Sequence, residues 1–487
     1  MPEKLDGLSI HMVGAKGTGM AALAEVLSAR GAKLSGSDVP DTFYTDAILR
    51  SLGMRLSSGF DASNLPEEAR LAIHSAAYPR DSNPELLEAA KRGLPILSYP
   101  EALGELSRRY RSTGISGVHG KTTTTAIAGS LISALGLPAT VLAGSAVSSF
   151  GGRSTISCGD PYFVAETCEY RRHFLSFRPS RIVLTSIESD HQDFYPTYGD
   201  IYAAFLDYLR LLPRGGELVF CADDSGASQA ASEISRDRPD LVLVPYGESA
   251  EGPYRLQGYQ AVSGYASFRL RGFDIDFRLQ VPGHHIALDA AAALAIAFSI
   301  LGEEGRAGHR PAPSLRREDL EKARDAIGAF AGSKRRSEIL GESGGVLFID
   351  DYGHHPTAIR ETIRGIREFW PERRLVVDFM SHTYSRTKAL LGDFAASLDQ
   401  ADALVLHGIY ASARERPDPA VSGQMLFDLA ASRRPGRDGL YFEGVLEGVD
   451  RIADFLRPGD LFLTMGAGDN WRLGEALLAR LSGGGAR

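Results

Sequence analysis

The chain has 487 residues, 44% of them hydrophobic and 23% charged, with a formal net charge of -8. That length is more than one core usually organises and suggests about three domains, and the composition is that of a globular protein, not a disordered or fibrous one. The acidic balance argues against nucleic acid as a partner, and the cysteines Cys158, Cys168 and Cys221 form no CxxC pair, which argues against a disulfide scaffold or a zinc site.

The N-terminus, MPEKLDGLSIHMVG, lacks the apolar length and cleavage pattern of a signal peptide. No apolar stretch is expected to reach the ~18 residues that span a bilayer, so a cytoplasmic protein without a membrane partner is expected. Leu8 to Val13 reads as a strand, Met20 to Arg30 as a helix and Leu71 to Ser75 as a strand, an alternation that predicts βα units and a parallel sheet. Between the first strand and helix lies Gly14-Ala15-Lys16-Gly17-Thr18-Gly19, and Asp38 stands about where a ribose-binding acid would. The second glycine of a dinucleotide fingerprint is replaced here by Lys16, where the backbone must approach a pyrophosphate closely. A dehydrogenase is thereby disfavoured, while a nucleotide diphosphate can still rest on the helix N-terminus. Arg108 to Ser112, polar and basic, reads as a linker.

The next section opens with Ser116-Gly117-Val118-His119-Gly120-Lys121-Thr122-Thr123-Thr124-Thr125 between an apolar stretch and a helical one. Glycines let the backbone turn several N–H groups toward phosphate, the helix N-terminus adds partial positive charge and Lys121 a full one. The spacing departs from a standard Walker A motif, since Ile115 occupies the place of its first glycine. Strands are predicted at Tyr162 to Ala165, Ile182 to Thr185 and Glu217 to Cys221. Glu166 and Glu169 follow the first of these, and Glu188-Ser189-Asp190-His191-Gln192-Asp193 the second. Parallel strands deliver their C-terminal ends to one edge, so both clusters should face the phosphates. Thr122 with Glu166 makes a sensible magnesium site, and His191 is a candidate ligand of a second ion. Ala287 to Leu301 reads as a buried helix and Gly302 to Arg317 as a surface loop.

Strands are predicted again at Val346 to Ile349, Leu375 to Asp378, Ala403 to Leu406 and Leu461 to Thr464, with Ser482 to Arg487 as a frayed tail. Asp350-Asp351-Tyr352-Gly353-His354-His355-Pro356-Thr357 follows one strand, with Pro356 placed to start a helix. Ser381-His382-Thr383-Tyr384-Ser385-Arg386-Thr387 follows another, and Arg386 is suited to grip a carboxylate or phosphate with its fork of donors.

This ordered series resembles the Mur ligases of peptidoglycan synthesis. The resemblance rests on Gly17-Thr18-Gly19-Met20, His74-Ser75-Ala76-Ala77 with Asn83-Pro84-Glu85, GVHGKTTTT, Glu166 with Glu169, Asp190-His191, Pro282-Gly283, Asp350 to Thr357, Ser385-Arg386-Thr387, Ile409-Tyr410 and Gly466-Ala467-Gly468. Asp190 to Tyr195 and the Asp350 to Pro356 string favour the L-alanine-adding branch. The resemblance implies an α/β fold of three domains: a Rossmann-like UDP-sugar-binding domain over 1–111, a central P-loop ATPase-type parallel sheet over 112–328, and a Rossmann-like amino-acid-binding domain over 329–487. ATP would phosphorylate the lactyl carboxylate of UDP-N-acetylmuramate, and the amine of L-alanine would attack the acyl phosphate.

By the same resemblance Lys121, Glu166, His191, His354 and Arg386 are catalytic. Thr122 and Glu166 hold a first Mg2+, Glu166 and His191 a second, and Arg386 takes the alanine carboxylate with His354 nearby. Gly117, Val118, His119, Gly120, Lys121, Thr122, Thr123, His285, Asp289, Arg336 and Asp351 bind ATP. Gly17, Thr18, Gly19, Asp38, Ser75 and Ala76 bind the UDP-sugar. A monomer or homodimer is expected. Three positions depart from the family pattern: Cys168 stands for an aspartate between the two glutamates, Thr383 for an arginine, and Ile286 with Asp289 for two adenine-side asparagines. Asp289 is read as an acceptor unable to donate. A ligase attaching a recycled murein peptide, and a nucleotide-binding regulatory protein without catalysis, are the alternative readings.

Overall fold

The computed structural model describes residues 1, 4–305, 315–411 and 415–483. Ser9–Val13 is almost wholly buried, which is why it reads as a continuous apolar run and not as an alternating one. It sits at the centre of a five-stranded parallel sheet in the order Arg55–Ser58, Lys33–Asp38, Ser9–Val13, Leu71–His74, Ile96–Ser98. The order reverses between Ser9–Val13 and Leu71–His74, and ligand crevices open at the C-terminal strand ends of such points. Gly14 to Gly19, Asp38 and Ser75-Ala76 all lie at that edge.

The central sheet has seven strands, ordered Val242–Tyr246, Glu217–Cys221, Arg181–Leu184, Arg111–Ser116, Tyr162–Glu166, Ala139–Val147, Arg153–Ser157, with only the last antiparallel to its neighbour. The strand before the phosphate loop therefore lies between the strands that carry the two acidic clusters. Arg108 to Ser112 is not a linker throughout. Helix Tyr99–Ser107 ends just before it, the strand begins at Arg111, and Ser112 is buried. Hydroxyl bonding conceals this strand in the sequence: Ser112 Oγ donates to the Ser107 carbonyl at 2.7 Å, and Thr113 Oγ1 accepts from Arg181 at 3.1 Å.

A separate antiparallel sheet, Leu256–Val262, Tyr265–Leu270 and Asp276–Leu279, was not foreseen, because its first strand is largely exposed and polar. The C-terminal sheet is ordered Glu338–Ser343, Val346–Asp351, Asp460–Met465, Arg374–Phe379, Ala403–His407, Asp438–Phe442, antiparallel only at its first strand.

The expected buried helix is His284–Glu303, and it corrects the expectation about apolar length: by length and composition it could cross a membrane, with a mean hydropathy of 1.8. Yet 78% of that window is buried, packed against helix Lys121–Leu135 in the central core. Within the expected loop Gly302 to Arg317, Gly302 and Glu303 finish this helix and Arg317 opens the next, while 306–314 lie outside the described residues. Ser482, expected in a frayed tail, belongs to helix Trp471–Gly483, and 484–487 are likewise outside.

The units share their packing. Helix Thr18–Ala29 contributes Met20, Leu23 and Leu27 to one apolar cluster with Leu142, Phe163 and Phe205 of the central part. Helix Pro356–Phe369 crosses the start of helix His284–Glu303 at Gly365, where a Cβ would stand 2.5 Å from the Gly283 Cα. The connection into the C-terminal sheet is pinned at both sides. Lys334 N–H donates to the Ala146 carbonyl at 2.8 Å, and Arg335 reaches Asp350 at 2.9 Å and the Gly466 carbonyl at 2.7 Å. Arg335 and Ser337 have φ of +60° and +48°, a left-handed backbone that costs a non-glycine residue roughly 1–2 kcal/mol.

Candidate active site

The phosphate loop is shaped by two glycines with φ of +138° (Gly117) and +78° (Gly120). A Cβ at Gly120 would stand 2.5 Å from Asp289 Oδ1, so the loop lies directly on helix His284–Glu303. Its outer side is tied to the neighbouring strand end: Val118 N–H donates to the Ser186 carbonyl at 3.1 Å and His119 N–H to Ser186 Oγ at 3.0 Å. Lys121 opens the helix and folds back over the loop, donating to the Gly117 carbonyl and pairing with Glu169 at 2.9 Å. Burial would lower its pKa, but the carboxylates of Glu169 and Glu166 outweigh burial and raise it, so the ammonium stays charged. Thr122 Oγ1 donates to Glu166 Oε2 at 2.8 Å, which places two hard oxygen ligands side by side at the loop mouth.

His191, at φ +55°, faces Glu169 at 3.4 Å and Asp190 at 3.7 Å. Within ion-pair distance its ring meets these two carboxylates and not Glu166, which turns to Thr122. Glu169 is the carboxylate between Lys121 and His191. Sequence reasoning named Glu169 beside Glu166 without giving it a role. The missing signal is the turn at Tyr170–Ser176, which folds Glu169 back under the loop.

From the C-terminal sheet Arg386 reaches this edge, but its fork is engaged: Nε and Nη2 donate to Asp190 Oδ1 at 3.0 and 2.6 Å, both residues being buried. Burial alone would raise the Asp190 pKa, yet the Arg386 guanidinium beside it holds it well below the usual carboxylate range. His354 Nδ1 lies 3.0 Å from the Tyr352 carbonyl, which can only accept, so Nδ1 carries the proton and Nε2 a lone pair. Burial, then Arg386, keep His354 neutral by pushing its pKa well below the ordinary value. Thr383, in the place of an arginine, starts the Arg386 helix with φ +67°.

At the far side of the loop, Asp289 Oδ1 accepts from Thr124 Oγ1 at 3.0 Å. Burial pushes its pKa up to about 8, so near neutral pH the carboxyl is largely protonated. This corrects the reading of Asp289 as unable to donate: a protonated carboxyl offers one O–H, as an asparagine offers N–H. His285 beside it is neutral, since burial pushes its pKa down to about 4. Arg336 acts electrostatically on both groups and on Asp351, and stacks over Tyr352 at 5.2 Å. Asp351 itself accepts from the Ser337 and Gly353 amides at 2.8 and 2.7 Å, which makes it a brace for the connection.

In the first sheet Asp38 accepts from the Lys16 amide at 2.7 Å, the Val39 amide at 2.8 Å and Tyr78 Oη at 3.1 Å. Lys16 turns its ammonium away, to the Val39 and Asp41 carbonyls at 2.9 and 2.7 Å and to Asp46 at 3.3 Å. The Ser75 N–H donates to the Val13 carbonyl at the strand end at 2.9 Å, with Ala76 next to it. A cavity of about 200 Å³ runs from Gly19 and Tyr99 to Glu166 and Cys168. Gly17 caps and Thr18 opens the helix whose Gly19 lines one end of it, and Glu166 at the other end is bonded by Thr122, with Thr123 next in the loop helix. Cys168 lines this cavity and is exposed.

Residues 9–111 match the Mur ligase family catalytic domain, 115–297 the Mur ligase middle domain and 335–468 the Mur ligase glutamate ligase domain. The chain belongs to the Mur ligase family. It is 51% identical to a UDP-N-acetylmuramate--L-alanine ligase of Treponema pallidum (strain Nichols), over 98% of this chain and 97% of that one. The crystal structure of a UDP-N-acetylmuramate-alanine ligase from Thermotoga maritima superposes with a TM-score of 0.78 at 26% identity, covering 98% of this chain and 100% of that one. A murein peptide ligase from Psychrobacter arcticus shares the fold, with a TM-score of 0.64 at 22% identity over 98% and 99% of the two chains.

Proposed function

We propose that the chain joins L-alanine to the lactyl carboxylate of UDP-N-acetylmuramate at the expense of ATP, giving UDP-N-acetylmuramoyl-L-alanine, ADP and phosphate. The observation that carries this reading is a cavity that reaches from Gly19, in the first turn of helix Thr18–Ala29, to Glu166, whose carboxylate is bonded by Thr122 at the end of the charged phosphate loop. A sugar nucleotide anchored over Gly17, Thr18 and Gly19, with its ribose toward Asp38 and its base side toward Ser75 and Ala76, can send its carboxylate along that cavity. The three units then take the roles of UDP-sugar, ATP and amino-acid binding.

The ATP phosphates rest on the amides of Gly117 to Thr123, and the adenine side falls to His285, Asp289 and Arg336, with Asp351 bracing the latter. The paired oxygens of Thr122 and Glu166 suit magnesium, which when bound neutralises phosphoryl oxygens. Lys121 stabilises the charge that develops on the transferred group, and Glu169 keeps it ionised and in place. His191 stands next to Glu169 at the same edge, placed to meet a further phosphate oxygen or second cation. Arg386 receives the alanine carboxylate by exchanging part of its Asp190 pairing, and the Nε2 lone pair of neutral His354 takes a proton from the incoming ammonium. Closure of the C-terminal unit over the phosphate loop, where His355 meets Glu188, keeps water from an acyl phosphate.

The test is phosphate release with ATP, magnesium and UDP-N-acetylmuramate, comparing L-alanine with glycine, L-serine and a murein tripeptide. Release that requires the sugar nucleotide and is fastest with L-alanine supports the reading. Release fastest with the tripeptide, or independent of the sugar nucleotide, overturns it.

A further inference from the structure

Between the central and C-terminal sheets stands a cluster that the proposed chemistry leaves unused as side chains: His119 of the phosphate loop, Glu188 and His355. His119 Nε2 lies 3.2 Å from Glu188 Oε2, and His355 Nδ1 lies 3.4 Å from the same oxygen. All three ligand atoms fall within 4.8 Å of one another, and the two imidazole centroids are 4.9 Å apart. We propose that these three side chains form a binding site for a divalent cation of the zinc class, which when occupied fastens the C-terminal unit to the phosphate loop.

Bonds of about 2.0–2.1 Å at a tetrahedral ion set neighbouring ligands roughly 3.3–3.4 Å apart. Two edges of the triangle already have that length, and the third closes with a small rotation of His119. The His355 tautomer fits as well. Its Nε2 lies 3.2 Å from the Ser189 carbonyl, which can only accept, so Nε2 carries the proton and Nδ1 presents a lone pair. A carbonyl behind the far nitrogen is the usual outer support of a metal-bound imidazole. Nδ1 accepts a long bond, 3.4 Å, from the Thr357 amide.

Two imidazoles and one carboxylate suit zinc, cobalt or nickel, whereas magnesium prefers the oxygen pair of Thr122 and Glu166. Three protein ligands leave a fourth position for water or a phosphate oxygen. No cysteine takes part, so the absence of a CxxC pair in the sequence does not bear on this site. The ligands come from residues 119, 188 and 355, and the ion therefore links the phosphate loop and the Glu188 turn to the first helix of the C-terminal sheet.

Cobalt(II) serves as the probe, titrated into the full-length protein without nucleotide while the intense visible absorption of tetrahedral cobalt is followed. One equivalent should produce the band, and zinc should displace it. His355→Asn keeps an acceptor for the Thr357 amide at the helix start while removing the imidazole, and Glu188→Gln removes the shared carboxylate with little change of shape. Each should weaken cobalt binding at least tenfold, with circular dichroism unchanged. Zinc should raise the melting temperature of the wild type and not of either variant. A band that persists in both variants, a band abolished by Glu166→Gln but not by His355→Asn, or no band in the wild type overturns the proposal. Because the assay contains neither ATP nor sugar nucleotide, its outcome is independent of the reaction proposed above.

Discussion

Two glycine-rich turns, Gly14 to Gly19 and Gly117 to Lys121, each follow a central strand of a parallel sheet and each open a helix. They carry a lysine apiece, and the lysines do opposite things. Lys121 bends back over its own loop with a buried carboxylate behind it, so positive charge is kept where phosphate would sit. Lys16 points out of its turn into a clamp with Asp46 and the Val39 and Asp41 carbonyls, and its amide is consumed by Asp38. Similar local sequence thus produces one charged site suited to phosphoryl transfer and one nearly uncharged helix N-terminus suited to holding a diphosphate.

The largest effect should come from breaking the charged member. Lys121→Ala removes a preorganised cation from the transferring group and should lower kcat about 10²–10³-fold, roughly 2.7–4 kcal/mol, with the KM for the sugar nucleotide little changed. Phosphate-release kinetics check this, and near-wild-type turnover would erase the distinction between the two turns. Lys16→Met probes the other turn. It leaves Asp46 and two carbonyls without their donor and should reduce stability by roughly 1.5–3 kcal/mol in denaturant unfolding. Its kcat at saturating substrates should stay within about twofold, because this lysine faces away from the crevice.

A smaller effect is expected at the loop backbone. Gly120→Ala must adopt φ +78° and place a methyl group against Asp289, so the loop shifts on its supporting helix. The KM for ATP should rise about tenfold, equivalent to ~1.4 kcal/mol, with the KM for the sugar nucleotide unaffected. The equivalent change at Gly17 meets no atom nearer than 3.7 Å and should be nearly silent in ATP kinetics.

Both turns were legible in the sequence because glycine spacing, an apolar run before and an amphipathic run after are local features. The strands Ser9–Val13 and Tyr162–Glu166 were legible for the same reason. The partners were not. Nothing local says that Lys121 chooses Glu169 over Glu166, since both acids follow one strand and only the turn at Tyr170–Ser176 separates their directions. The pairing of Arg386 with Asp190 spans 196 positions and depends on how two sheets are docked. The strand Arg111–Ser116 was partly hidden by serine and threonine side chains that bond within the core, and the sheet from Leu256 to Leu279 by its exposure.

Asp289 is where the support beneath the charged turn can be tuned most gently. Its carboxyl is buried, accepts from Thr124 and has its pKa pushed from 3.8 up to about 8, so the folded chain holds a proton that the unfolded chain releases above about pH 4. The unfolded state then binds fewer protons than the folded one between those values, so this group's contribution to stability falls as pH rises from about 4 to about 8. Above that the carboxyl is ionised in both states, and its burial cost is present in full. Asp289→Asn keeps the shape, the acceptor for Thr124 and a donor, and cannot ionise. At pH 4 it should melt with the parent, and the gap should open as pH rises, so that at pH 8.5 the variant melts several degrees higher. Equal melting at both pH values would mean that Asp289 is solvated as a carboxylate, and the floor of the phosphate loop would then be negatively charged.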